Sequence, residues 1–525
     1  MPLHDRAASQ SDAGKRNRES QIHIFELTLL LLLAAVLLTA FSRRIGVPYP
    51  SMLAIGGAAI ALVPGAPVFQ IDPELALALF VAPVLLDAAY DTSLRDLRKN
   101  WVPVTSLVLA AVGLTTAAVA VVAHWLVPEM PWGAAIALGA IVAPPDAAAA
   151  TAVLRQLRLP HRMLVILEGE SLLNDASALL VYRLAVTATV SGALTAPQIA
   201  LTLLVVFPGS LAAGWLLARI YLICVRPLSD IPSAIVLQFV STFGVWLLAE
   251  HLGLSSILTV VVYAITLARR APREMPARLR VSSYAVWDTA VFVVNVLAFV
   301  LIGLQLRPIL GRFPAAARAD YFLVAVAVVA TVILVRIAWL MTYGAVVRWK
   351  IRRFGAGVRR PVLPPTIRGG LIASWCGMRG IVTLAAALAL PGGLEAASAF
   401  PHRDLIVFCA FAVVFGTLVL QGLTLKPLVL ALPFRDDDPV ERETQFGRAQ
   451  LARVRLHSSD RSADKGPAEE SQDASNRRVL RLEVLRLQRE ALQDLREREE
   501  IGDDAFHRLE CELDIAELEI NSRGD

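Results

Sequence analysis

The sequence predicts an all-α, polytopic membrane protein with a helical cytoplasmic tail, and three observations predict it. Hydrophobic residues make up 56% of the 525 and charged residues only 18%, with a mean hydropathy of +0.59. A soluble domain of this length could not bury so much apolar surface. The apolar residues also fall into runs of about 20, the length that carries a helix across a hydrocarbon core. Short connectors that are charged or contain Pro and Gly separate the runs.

Residues 1–21 form a polar tail of mixed charge. The first apolar run, Ile24 to Phe41, is not followed by a small-residue cleavage pattern and is read as a retained helix, not a signal peptide. Further spans are expected at 49–66, 74–91, 102–127, 132–154, 163–190, 198–224, 232–252, 255–268, 284–306, 320–347, 366–390 and 403–432. That makes about thirteen. The span at 255–268 is short for a membrane helix. Basic residues recur after odd-numbered spans, at Arg43–Arg44, Arg95/Arg98/Lys99, Arg155/Arg158/Arg162, Arg226, Arg269 to Arg280 and Arg348 to Arg360. Positive-inside bias therefore places these loops and the C-terminus in the cytoplasm and the N-terminus outside. Arg307, Arg312 and Arg318 run against the pattern.

The membrane domain is bounded at 22–434, and residues 435–525 form a separate charged, Leu-rich tail with a linker-like stretch near 458–470. In the tail, Leu482, Leu485, Leu492 and Leu495 keep helical spacing. Gly502-Asp503 interrupts them, and Phe506, Leu509, Leu513, Ala516 and Ile520 resume it. A hairpin of two amphipathic helices is expected, either a regulatory or dimer-supporting module or a solubilising appendage.

Several function classes drop out. The net charge of +5 comes mainly from arginines between apolar runs and in the tail, so membrane topology explains it better than a nucleic-acid partner does. Cys224, Cys376, Cys409 and Cys511 are widely spaced, which suggests neither disulfides nor a zinc site. No GxSxG, His-rich metal motif or Ser/His pair within the spans supports an intramembrane enzyme, and no cofactor is indicated.

Ionisable groups inside a bilayer are costly, so each marks a candidate site. The sixth span concentrates them. Glu170, Ser171, Asn174 and Asp175 share one helical face, at i, i+1, i+4 and i+5. Carboxylate, hydroxyl and amide oxygens on one stripe suit a hard monovalent cation, and a carboxylate that trades the cation for a proton is the minimal device for exchange. Glu168, nearest the loop, reads as a residue snorkelling to the headgroups. Two other spans are interrupted: Ala143-Pro144-Pro145-Asp146 in the fifth, where tandem prolines cannot donate backbone hydrogen bonds, and Trp375 to Gly380 in the twelfth, where Gly377 and Gly380 flank Met378 and Arg379. Broken helices in corresponding halves point to a transporter binding site between two inverted six-helix repeats. Asp146 and Arg379 either neutralise the half-helix ends or take part in ligation.

The stretch from Gly139 to Asp146, followed by Ile166 to Asp175, resembles the ion-binding core of the monovalent cation:proton antiporter-1 family, the bacterial and animal sodium/proton exchangers. Gly377 to Gly380 with the following Ile-Val-Thr-Leu-Ala resembles that family's second motif, and Leu301 to Leu304 and Leu420 to Thr424 also match, in the expected order. The resemblance implies exchange of Na+, and of Li+ by pocket size, for H+ by alternating access in a homodimer. It implies that Asp175 carries cation and proton in turn, and that Ser171 is a cation ligand. Asn174 stands where electrogenic relatives have a second aspartate. It further implies that Glu170 pairs with Arg379, leaving one titrating carboxylate and electroneutral exchange. Pro145 replaces a threonine frequent in the family, so only its carbonyl is available to a cation. Asp87 aligns with an often acidic position and is a candidate for the proton path; the alternative pairs it with Arg95 or Arg98 at the interface. Glu26 is a further carboxylate near the bilayer, and His161 is a candidate pH sensor. Potassium or organic-ion exchange and a cation channel are the competing readings.

Overall fold

The computed structural model describes residues 26, 29–64, 72–146, 149–150, 159–192, 196–228, 230–312, 318–355, 365–392, 400–432, 438–463 and 473–522. The N-terminal tail, Arg155, Arg158 and residues 464–470 of the expected linker lie outside them. Regular structure among the described residues is helical throughout, with no strand. The membrane part consists of α1 (29–45), α2 (Tyr49–Ala61), α3 (Pro73–Asp91), α4 (Trp101–Leu126), α5 (Trp132–Val142), α6 (His161–Ser191), α7 (Ala196–Val225), α8 (Ile231–His251), α9 (Ser256–Glu274), α10 (Ala277–Leu304), α11 (Arg318–Phe354), α12 (Ile367–Trp375), α13 (Ile381–Leu388) and α14 (Arg403–Ala431). Seven of these are by themselves long and apolar enough to cross a membrane: α3, α4, α7, α8, α11, α14, and α10 with its extension to Leu310.

Local chemistry sets several of the boundaries. The Asp72 carboxylate accepts from the N–H groups of Glu74 and Leu75 at 2.9 and 3.1 Å to start α3, Asp230 accepts from Ser233 N–H at 2.9 Å to start α8, and Ser255 accepts from Leu258 N–H at 3.3 Å to start α9. Gly192, with φ of +83°, terminates α6 in the left-handed conformation. The short span expected at 255–268 is corrected by α9, which runs 19 residues to Glu274. The arginines at 269, 270 and 273, expected in a loop, continue the helix beyond its apolar part, as long side chains that reach water can do.

Two apolar cores organise these helices. The larger one is built from α1, α2, α4–α6 and α10–α14. The second gathers α3, α7, α8, α9 and the first half of α10. α6 touches both: Leu167, Tyr182 and Ala185 face the first, and Leu172 the second. In the first core, α2 and α10 cross at Gly57 and Gly303, where a Cβ would strike the Val300 and Ala54 carbonyls respectively. Small residues are what permit backbones to approach this closely in a bilayer.

The tail folds as α15 (Pro439–Ala463), α16 (Asp473–Glu497) and α17 (Asp503–Ser522). The expected hairpin corresponds to α16 and α17, and α15 packs on it through Leu451, against a core that includes Leu485, Leu492, Phe506, Leu509 and Leu513. α15 escaped the sequence reading because its apolar residues are too sparse for a helical stripe. Its second half covers residues 458–463, at the start of the stretch read as linker.

The tail is anchored to the membrane helices by buried charge. Arg280 of α10, 2% exposed, donates to both Asp514 oxygens at 2.5 and 3.1 Å and lies 3.5 Å from Glu510. Arg95 donates to Glu443 at 2.7 Å, and the Tyr90 and His507 rings stack at 6.2 Å. His161, just outside the apolar part of α6, lies 3.4 Å from Asp96 and 3.6 Å from Asp504 of α17. The Asp96 hydrogen bond, aided by the charge of Asp504, raises the His161 pKa. Burial raises that of Asp504. Both groups hold their protons more firmly when docked than when free, so their contribution is complete at acid pH and is lost as pH rises through the raised values.

Protease protection of the tail should therefore fall as pH rises through the raised His161 value, and His161→Gln should flatten that dependence. Arg280→Ala leaves Asp514 and Glu510 short of a counter-charge, should cost about 3 kcal/mol of docking, and should expose the tail to protease at every pH. A tail equally protected in wild type and Arg280→Ala would show that apolar contacts alone hold it.

Candidate ion-binding site

The site forms where two broken helices cross beside α6. Pro144 and Pro145 end α5 at Val142, because neither can donate the next backbone hydrogen bonds. On the other side, α12 stops at Trp375, and α13 begins at Ile381 after Gly380. The two breaks meet directly: Asp146 N–H donates to the Met378 carbonyl at 2.7 Å.

Each helix end finds a compensating charge. Arg379, 1% exposed, donates from Nε to the Val142 carbonyl at 3.0 Å, from one terminal nitrogen to the Ala143 carbonyl at 3.1 Å, and from the other to the Gly377 carbonyl. A cation thus sits on the orphan carbonyls at the C-terminal end of α5. Arg379 N–H in turn donates to Thr417 Oγ1 of α14 at 3.1 Å. The Asp146 carboxylate lies against Gly380 at the start of α13, so close that a Cβ there would overlap it. An anion at that end complements the helix dipole.

α6 brings the third set of groups. Asn174 is fully buried; its Nδ2 donates to the Pro145 carbonyl at 3.1 Å, and its Oδ1 has no hydrogen-bond partner among the described residues. One residue on, Asp175 is 9% exposed, and its carboxylate is close enough to that of Asp146 to be repelled by it. No donor among the described residues hydrogen-bonds to Asp175. Ser171 lies four residues earlier on the same helix face and is half-buried. The structure thus brings Asp175, Asn174, Pro145 and Asp146 together at the crossing, with Ser171 one turn away on α6.

Glu170 corrects the sequence reading. Its expected partner was Arg379, but that guanidinium is committed to backbone carbonyls. Glu170, 1% exposed, instead accepts from the two terminal nitrogens of Arg336 on α11, at 2.5 and 2.9 Å. One of these nitrogens also donates to the Ala373 carbonyl of α12 at 3.2 Å. Gly377 leaves the room, since a Cβ there would strike the Arg336 side chain. The signal for Arg336 was present in the sequence as a lone arginine in mid-span, which needs an acidic partner. Spacing could not tell which of two buried arginines would reach Glu170.

The other candidates lie elsewhere. Asp87 lines a separate cavity with Tyr90, Tyr284, Gln238 and Asp288. The arginines proposed as its interfacial partners pair elsewhere, Arg95 with Glu443 and Asp96 and Arg98 with Glu499. Glu26 is exposed, and Glu168 is exposed on α6.

Arg336→Ala strands a buried carboxylate and should lower the thermal stability of the purified protein by the equivalent of about 3–5 kcal/mol; adding Glu170→Gln should recover most of it. Glu170→Gln should not rescue Arg379→Ala, whose lesion is unpaired carbonyls. A rescue there would restore the Glu170–Arg379 pair.

The chain matches the family described as sodium/hydrogen exchanger, transmembrane, over residues 30–431. It is 29% identical to a sodium, potassium, lithium and rubidium/H+ antiporter of Bacillus pumilus, over 90% of this chain and 71% of the relative. It is 30% identical to an uncharacterised Na+/H+ exchanger of Mycobacterium tuberculosis, over 98% of this chain and 99% of the relative. Its fold is similar to that of the sodium proton antiporter MjNhaP1 from Methanocaldococcus jannaschii, with a TM-score of 0.58 and 17% identity over 77% of this chain and 97% of that one. With the matched segment running from α1 to the end of α14, and so through both broken helices and the α6 carboxylate, the chain belongs to the sodium/hydrogen exchanger family of membrane transporters.

Proposed function

We propose that this chain exchanges one Na+ for one H+ per cycle, with Asp175 as the carboxylate that carries each in turn. The observation that carries the reading is the charge count at the crossing. Arg336 neutralises Glu170, and Arg379 and Asp146 are balanced against opposite helix ends. Asp175 is left as a buried carboxylate with no hydrogen-bond donor among the described residues. Such a group is expensive to keep bare, and either a proton or a monovalent cation removes the cost. Both states then carry the same charge, so the exchange is electroneutral. Asn174 Oδ1, an unpaired acceptor, and Ser171 supply neutral oxygen to the dehydrated ion.

In this reading α6, held between the two apolar cores, moves with the broken helices relative to α3 and α7–α9, giving alternating access. The cavity at Asp87 is a path for protons. The N-terminus lies outside, the tail lies in the cytoplasm of a bacterial cell, the inner membrane holds a homodimer, and the transported ions are the only cofactors. The task is pH and sodium homeostasis. Lithium fits the same oxygen set. A broader cation range is favoured by the Bacillus relative's name and by the absence of a side-chain hydroxyl at Pro145.

The test is purified protein in proteoliposomes with an imposed pH gradient, followed as sodium, lithium, potassium or choline is added. Wild type should dissipate the gradient with sodium at a rate unchanged when the membrane potential is clamped at opposite signs, and Asp175→Asn should reduce that rate at least about a hundredfold. Voltage-dependent wild-type exchange would refute the one-for-one stoichiometry. Full activity in Asp175→Asn would remove Asp175 from the centre of the mechanism. Dissipation by potassium as strong as by sodium would establish the broader selectivity.

A further inference from the structure

A cavity of about 450 Å³ lies in the seam between the membrane helices and the tail, away from the ion site. Six arginines line it: Arg95 and Arg98 after α3, Arg269, Arg270 and Arg273 at the end of α9, and Arg496 of α16. The carboxylates that line it number four, Glu274, Glu497, Glu499 and Asp503, so the wall carries an excess of positive charge.

The arginines are not equally committed. Arg95 is held by Glu443, Arg496 by Asp503 at 2.7 Å and by the Phe506 ring, and Arg273 by Glu497 and Gln493. The remaining three are loosely engaged. Arg98 stands 3.7 Å from Glu499, and Arg270 stands 3.7 Å from Glu274, which is itself shared with Arg226 at 3.2 Å. Arg269 is exposed and has no ion-pair partner among the described residues. Guanidinium groups with free donors on one wall of a cavity fit the planar, multidentate geometry of phosphate oxygens. The volume falls in the range of small-molecule sites and is larger than an inorganic phosphate needs.

We infer that this seam is a binding site for a phosphorylated anion, gripped by Arg98, Arg269 and Arg270 from the membrane side and closed by α16 of the tail. Bound there, the ligand bridges the two parts and strengthens docking of the tail. The phosphate comes either from a soluble phosphate ester or from the headgroup of an anionic lipid, which the end of α9 is placed to meet.

Full-length protein in an uncharged detergent is titrated with pyrophosphate and, separately, with phosphatidylglycerol against phosphatidylcholine in mixed micelles. Binding heat and protease protection of the tail are both read. Saturable binding is expected, weakened at least about tenfold by the double variant Arg269→Gln/Arg270→Gln. Arg352→Gln/Arg353→Gln, the same loss of charge at the end of α11, should bind like wild type. Ligand-dependent protection of the tail should vanish in the first double variant only. A response to pyrophosphate assigns a soluble ligand, and a response to phosphatidylglycerol alone assigns a lipid headgroup. Equal weakening by both double variants, or no binding of either probe to wild type, overturns the site.

Discussion

The contact on which the membrane domain depends is the crossing of two interrupted helices, closed by the hydrogen bond from Asp146 N–H to the Met378 carbonyl. A helix broken inside a bilayer exposes backbone groups that lipid cannot satisfy, each at a cost of several kcal/mol. This fold places a charge of the required sign at two of these ends. Arg379 covers the carbonyls at the end of α5, and Asp146 faces the start of α13. Neither residue could be exchanged with the other, because the two helix ends carry opposite partial charges.

With those two charges committed to backbone, the remaining ones acquire distinct roles. Glu170 and Arg336 lock α6 to α11 in a buried, bidentate pair, and the second contact of Arg336, to the Ala373 carbonyl, extends the lock to α12. Such a pair contributes little net stability relative to apolar packing, but it is costly to break, so it orients α6. Asp175, a little more than one turn along that helix, is then presented to the crossing with Asn174 beside it. The locked surroundings of α6 and the position of Asp175 at the crossing are two sides of the same arrangement.

The tail belongs to the same electrostatic design. Its last helix reaches α10 through Arg280 and the start of α6 through His161, so it contacts elements of both apolar cores at once. The seam it closes holds more arginine than acid, whereas the helix crossing holds more carboxylate than guanidinium, with Glu170, Asp146 and Asp175 against Arg336 and Arg379. Charge of opposite excess is thus kept in two separate compartments of one chain.

Helical spans, their breaks and the face shared by the polar residues of α6 were legible in the sequence because each depends on near neighbours in the chain. Twenty apolar residues form a helix in lipid, tandem prolines stop one, and positions four apart share a face. That Arg336 and not Arg379 meets Glu170, that Asp146 faces Gly380, and that α15 completes the tail were decided by tertiary structure. Those pairings join residues more than a hundred positions apart or rest on a helix without an apolar stripe. The sequence by itself determined which charges lie in the membrane; which partner each one meets follows from where the broken helices cross, and only the packed structure settles that geometry.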